Sequence, residues 1–190
     1  MYKKYIKRIL DIILSILLLI ILFPLFIIIA IAIKLGDRKS IIYKQERTGK
    51  ENKKFEIYKF RTMNEKEPTK IGKVLRKTGL DELPQLINIL KGEMSLIGPR
   101  PWIPEYYKHF SKSQKKRVTV RPGLIGLAQL KSNKIDVLKK IEYDLEYIEN
   151  ISFTMDIKII MKSIKMIIKN KHNEITQEEI TREIQQLQMH

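Results

Sequence analysis

The chain contains no cysteine, so neither a disulfide framework nor a cysteine-based metal site is available to it. That composition suits a reducing cytoplasm. Histidine is scarce, and His109, His172 and His190 have no metal-ligand spacing. No glycine-rich phosphate loop and no G-x-S-x-G nucleophile element occur, and the chain has no internal repeat. Acidic residues are outnumbered: 21 Asp and Glu stand against 37 Lys and Arg, a net charge of +16. A surplus of that size calls for an anionic partner, whether nucleic acid, lipid headgroups or a phosphorylated substrate. A nucleic-acid binder would carry the aromatic-flanked basic stretches of the known modules, and none is found. The expected partners therefore include membrane lipid and no nucleic acid.

Charge is also missing from one long run. Between Ile12 and Ile33 only Ser15 and Pro24 interrupt the apolar residues. A helix of that length spans about 33 Å, close to the hydrocarbon thickness of a bilayer. Lys3, Lys4, Lys7 and Arg8 precede it, and Lys34, Arg38 and Lys39 follow it. The positive-inside rule would keep both flanks in the cytoplasm, which a straight span cannot do. Pro24 removes a backbone donor and crowds the preceding turn. It either kinks a spanning helix or breaks a re-entrant one, and the physics alone leaves both open. A cleaved signal peptide, with Ala30-Ile31-Ala32 as its site, is a lesser alternative, since the apolar core is long and another Lys follows.

The 190 residues suffice for one compact domain plus this anchor. We divide them into an anchor at 1–36, a catalytic domain at 37–170 and a helical tail at 171–190. Residues 41–63 read as two strands around a turn at Thr48–Lys53, and 64–70 as a short loop. A short basic helix is expected at Ile71–Lys77. In "TGLDELPQLINILKGEMSLIGPRP", Asp81 is placed to cap a helix that Gly92 ends, with Leu83, Leu86, Ile87 and Leu90 on its apolar stripe. "MSLI" suits a short strand. Further helices are expected at 105–117, Asp136–Asn150 and Thr154–Lys169, with a Pro-Gly turn in "RPGLIGLAQ". Lys158, Lys162, Lys165 and Lys169 share one side of the last helix, as in helices that lie on a membrane surface. The tail has a capping box from Thr176 to Glu179 and a narrow apolar stripe, usable for packing or for a homodimer. The fold class expected is α+β and mostly helical.

Candidate chemistry gathers at Asp81 and Glu82. At a helix start the backbone N–H groups and the dipole favour a charged carboxylate. Such a group can act as a nucleophile or hold a divalent metal; it can equally be an ordinary cap. Arg100, between two prolines, is a fixed guanidinium suited to phosphate. Arg121 repeats the theme, and Lys59, Arg61 and Arg76 add positive charge. Two carboxylates, several cations and Mg²⁺ together suit phosphoryl transfer.

At "KRILD" (7–11), "QERTG" (45–49), "YKFRTM" (58–63), "LDELPQLINILKGEMSLIGPRP" (80–101), "RPGLIGLAQ" (121–129) and "YDLEYIENISF" (143–153), the chain resembles the bacterial sugar transferases, the monotopic phosphoglycosyl transferases in their minimal form. The resemblance covers about Lys7 to Lys169. It implies transfer of a phosphosugar from a UDP-sugar to polyprenol phosphate, with UMP released and a covalent aspartyl intermediate. Asp81 would then be the nucleophile, Glu82 its partner on Mg²⁺, and Arg100 a phosphate or nucleotide ligand. The resemblance also implies a re-entrant helix broken at Pro24, on the cytoplasmic face of the inner membrane, with Lys7 and Arg8 as interfacial anchors. Phe23 stands where the pattern often has Ser before Pro24, so Ser15 or backbone is expected to supply the bonds at the break. "LKSNKID" (130–136) replaces a Gly- and Arg-containing stretch. A tethered nucleic-acid- or lipid-binding protein without catalysis is the alternative.

Overall fold

The structure, a computed structural model, describes residues 1–37, 40–64, 67–131, 137–168 and 185. The expected tail helix lies outside these residues, as do Arg38, Lys39, Lys169 and most of the "LKSNKID" stretch.

One turn of π-helix, Tyr2–Ile6, leads into α1, Lys7–Asp37. By length and composition this helix could cross a membrane. The helix continues through Pro24. A line of residues down one side meets the rest of the chain: Asp11 and Ser15 are buried, Leu19 packs on the main core, and Ile29 and Ile33 pack with Phe60 and Leu75. The opposite side exposes Ile13, Ile20, Ile27 and Ile31. Ser15 does not serve the break as expected. It lies more than two turns before Pro24, fully buried, and its hydroxyl has no partner among the described residues.

Strands β1 (Ile42–Thr48) and β2 (Lys54–Phe60) form the expected antiparallel hairpin. β2 buries one residue on each face, Ile57 in the main core and Phe60 against α1, while Lys54 and Glu56 stay exposed. Helix α2 (Lys70–Thr78) is capped by the Thr69 side chain and stopped by Gly79 at φ 71°. A 3-10 turn, Leu80–Glu82, then precedes α3 (Gln85–Lys91). Asp81 therefore sits inside the turn and makes no cap bond; Pro84 occupies the N-cap position of α3. Gly92, at φ 84°, ends α3 as expected. Leu86 and Ile89 face the core, while Ile87 is exposed because Asn88 takes the neighbouring inward position. Asn88 Nδ2 donates to the Glu56 carbonyl at 2.7 Å, and its Oδ1 accepts from Tyr58 N at 3.0 Å, which docks α3 on β2.

Strand β3 (Ser95–Ile97) pairs in parallel with β4 (Gly123–Ile125). The expected Pro-Gly turn is thus the entry to a strand, since Gly98 and Gly123 let two backbones touch where any side chain would collide. The helix expected over 105–117 is two shorter pieces, α4 (Pro104–Tyr107) and a 3-10 run, Gln114–Thr119. Helices α5 (Leu127–Lys131), α6 (Val137–Glu149) and α7 (Phe153–Ile168) follow. Among the described residues the class is α+β, mostly helical, with two small sheets. The core joins Leu86, Ile89, Met94, Ile97, Tyr147 and Ile159. Each such side chain, fully buried, contributes roughly 1.5–3 kcal/mol.

Candidate active site

The 3-10 turn brings Asp81 and Glu82 to the same wall, each 7 % exposed. Lys59 reaches them from β2. Its Nζ lies 2.7 Å from Glu82 Oε1 and 3.9 Å from Asp81 Oδ2. Arg100 approaches from the loop after β3, with one guanidinium nitrogen 2.8 Å from the same Glu82 oxygen. Glu82 is thus the organiser of the cations, and Asp81 has the looser contact.

Electrostatics separates the two carboxylates further. Burial, with the Glu82 charge beside it, raises Asp81 to about 6 against the pull of Lys59, Arg100 and Arg76. The expectation that helix-start amides hold Asp81 ionised does not hold. The N–H groups of Glu82 and Leu83 are taken by the carbonyls of Gly79 and Leu80. Asp81 is nevertheless mostly charged at neutral pH. The Glu82 carboxylate, in turn, holds the Arg100 guanidinium above its usual range.

The remaining expected cations divide. Arg76 belongs to the site: it acts on Asp81 electrostatically, and its Nε donates to Thr62 Oγ1 at 2.9 Å. Arg61 turns away and donates to the Ser40 carbonyl at 2.8 Å. Arg121 donates to the Gly92 carbonyl at 2.7 Å and fastens the end of α3 to the start of β4. Lys7 and Arg8 hold the anchor to the body: Lys7 pairs with Asp156 at 2.6 Å, and Arg8 donates to the Ile89 carbonyl at 2.6 Å and the Leu90 carbonyl at 3.1 Å.

The family model described as bacterial sugar transferase matches residues 2–170. The chain belongs to that family. The Bacillus subtilis (strain 168) protein named uncharacterized sugar transferase EpsL is 37 % identical over 174 residues, covering 83 % of this chain and 85 % of its own. A Klebsiella pneumoniae UDP-glucose:undecaprenyl-phosphate glucose-1-phosphate transferase is 39 % identical over 181 residues, covering 83 % of this chain. The alignment takes in 39 % of that longer protein. An Aeromonas hydrophila UDP-N-acetylgalactosamine-undecaprenyl-phosphate N-acetylgalactosaminephosphotransferase is 37 % identical over 185 residues, 86 % of this chain and 44 % of its own. The chain therefore spans less than half of these two longer transferases.

Several residues of this cleft escape sequence reasoning. Arg47, on β1, lines the cleft with Lys59, Glu82, Gln85 and Arg100. Burial and the Arg100 charge push its guanidinium down to about 10, still charged at neutral pH. Its motif, "QERTG", was visible, but nothing in the letters says which way a strand arginine points. Arg117 and Asp144 form a buried ion pair under the Arg100 loop, and Arg117 also donates to the Arg100 carbonyl at 3.0 Å. Their separation in the chain hides the pair from any local reading.

Proposed function

We propose that this transferase moves a phosphosugar from a UDP-sugar to polyprenol phosphate. The observation that carries the reading is the buried Asp81–Glu82 turn, with Lys59 and Arg100 both held on Glu82 and Asp81 left with the looser contact. The donor and acceptor classes come from the names of the relatives. In the first step an Asp81 carboxylate oxygen attacks the β-phosphorus. The bond from that phosphorus to the bridging oxygen breaks, and UMP leaves with the bridging oxygen. In the second step a phosphate oxygen of polyprenol phosphate attacks the same phosphorus, and the Asp81 carboxylate departs. Lys59, Arg76 and Arg100 hold the phosphate oxygens and offset the charge that develops there.

The carboxylate pair fits Mg²⁺, which takes one or two protein carboxylates and completes its shell with water and phosphate. Asp81 is buried and its closest cation, Lys59, stands at 3.9 Å, so its charge lacks a close partner. Asp81 and Glu82 would hold the ion, and it would supply further neutralisation of the diphosphate.

The anchor enters and leaves on the cytoplasmic face. Contacts to the body run along α1 from Asp11, which accepts from Leu96 N at 3.0 Å, to Ile33. A helix standing upright in the bilayer would carry its middle away from the body, yet Ser15 and Leu19 touch it. Phe153, Ile157, Met161 and Ile164 form an exposed apolar row on α7 with Lys158, Lys162 and Lys165 on the same helix, a surface suited to lipid headgroups. These contacts would bring a soluble UDP-sugar and a membrane-bound phosphate to one plane.

The test of the reaction is UMP release from a panel of UDP-sugars with Mg²⁺ and polyprenol phosphate. One sugar is expected to give UMP in step with a lipid-linked diphosphate product; no UMP from any of them refutes the reading. The test of topology is cysteine labelling. With cysteines placed singly at Lys3 and Lys34, an impermeant reagent should reach both only from the cytoplasmic side, and labelling from opposite sides would restore a spanning helix.

A further inference from the structure

Two residues of the cleft have no work in the reaction as described. Gln85 is 2 % exposed, and its Nε2 is buried without a hydrogen-bond partner. A buried amide donor left unpaired is destabilising, so a ligand that accepts from it would recover that loss. Arg47 lines the same cleft, half-buried and beside a second guanidinium, Arg100. Among the described residues its one hydrogen bond runs to Gln45 Oε1 at 2.5 Å, and no carboxylate forms an ion pair with it. Buried cations are ordinarily paired. Two residues with unused donors, one of them charged, thus line one cleft, and Glu82 acts on Arg47 through its field without forming an ion pair with it.

We propose that Arg47 and Gln85 form a second phosphate-binding subsite, separate from the cations on the reacting phosphate. This rests on the phosphoglycosyl transfer reading. The shared chemistry is a phosphate group, carried either by the nucleotide, as the α-phosphate of the donor and the phosphate of UMP, or by the polyprenol phosphate. Arg47 supplies the forked, charged donors and Gln85 a neutral one. Neither touches the bond that breaks, so their loss falls on binding more than on the chemical step.

The experiment uses the full chain in lipid nanodiscs with Mg²⁺. It measures UMP affinity by calorimetry, polyprenol-phosphate KM by turnover, and melting temperature. Arg47→Met and Gln85→Leu are each expected to weaken one of the two phosphates about tenfold or more. Gln85→Leu should melt no lower than the wild type, because the amide nitrogen it removes has no partner in the fold. Weakened UMP binding identifies the nucleotide phosphate; a raised polyprenol-phosphate KM with UMP unchanged identifies the acceptor. Should Arg47→Met fail to fold, Arg47→Lys keeps the charge and tests the forked geometry alone. Folded variants with both values unchanged overturn the subsite while the wild type still turns over. A wild type that neither binds UMP nor releases it overturns the transfer reading and the subsite together.

Discussion

Asp81→Asn releases no UMP from any UDP-sugar, a loss of about 10⁴-fold or more, as expected when a nucleophile is removed. The same variant should melt a few degrees higher than the wild type at pH 7.5. The sign follows from burial. Asp81 is raised from 3.8 to about 6 in the fold, so the folded chain binds the proton more tightly than the unfolded one. Its burial costs nothing below the unfolded value, and the cost is complete once the pH passes about 6. A shift of that size corresponds to about 3 kcal/mol, with Mg²⁺ absent. Asparagine carries no such charge. The gain in melting temperature should therefore shrink as the pH falls toward 4. A variant that melts higher and still releases UMP at the wild-type rate removes Asp81 from the chemistry; one that melts lower contradicts the electrostatic account of the site.

Gly123→Ala should abolish the folded state. A Cβ at Gly123 would stand 2.1 Å from Gly98 N and 2.6 Å from both Gly98 Cα and Gly98 O. All three are backbone atoms, so no side-chain rotation relieves the clash. The chain can only separate the two loops, which breaks the bonds from Ser95 N to the Pro122 carbonyl, from Gly98 N to the Ile125 carbonyl and from Gly123 N to the Pro99 carbonyl. Losing these three buried bonds costs about 1 kcal/mol or more each, on top of the strain. The Arg100 loop would move with them. Circular dichroism in detergent checks the fold, and Gly36→Ala serves as control, because nothing lies within 4 Å of a Cβ there. A well-folded, active Gly123→Ala protein would mean that β3 and β4 are not in the contact described.

The contact at Gly123 illustrates a boundary in what the letters carry. The hairpin, α2, α6, α7 and the end of α3 at Gly92 are local: strand alternation, helical periodicity and a glycine at positive φ write them directly into the chain. So is the identity of the dyad, since "LDELPQL" marks it within one turn. Asp81 departs from expectation in one respect, lying inside a 3-10 turn without a cap bond. A cap and a 3-10 turn use the same residue types, and the choice was made by Gly79 and by the carbonyls that took the turn's N–H groups. The segment at 105–117 departs from expectation for a different reason: Trp102 meets Tyr106 and Phe110 edge-on, Arg117 lies over Trp102 and Phe110, and that packing overrides helix propensity.

By itself, then, the sequence determined the anchor, the order of most elements, the carboxylate pair and a surplus of positive charge near it. Which cations serve the pair was decided only by the tertiary structure. Lys59, Arg76 and Arg100 reach the dyad, Arg61 and Arg121 do not, and Arg47 joins from a strand that gave no sign of it. The reason is physical. Helical and strand periods fix a side chain's direction relative to its own element, whereas the cleft forms where β1, β2, the 3-10 turn and the loop after β3 meet, and that meeting is set by close packing and by backbone contact at Gly98 and Gly123.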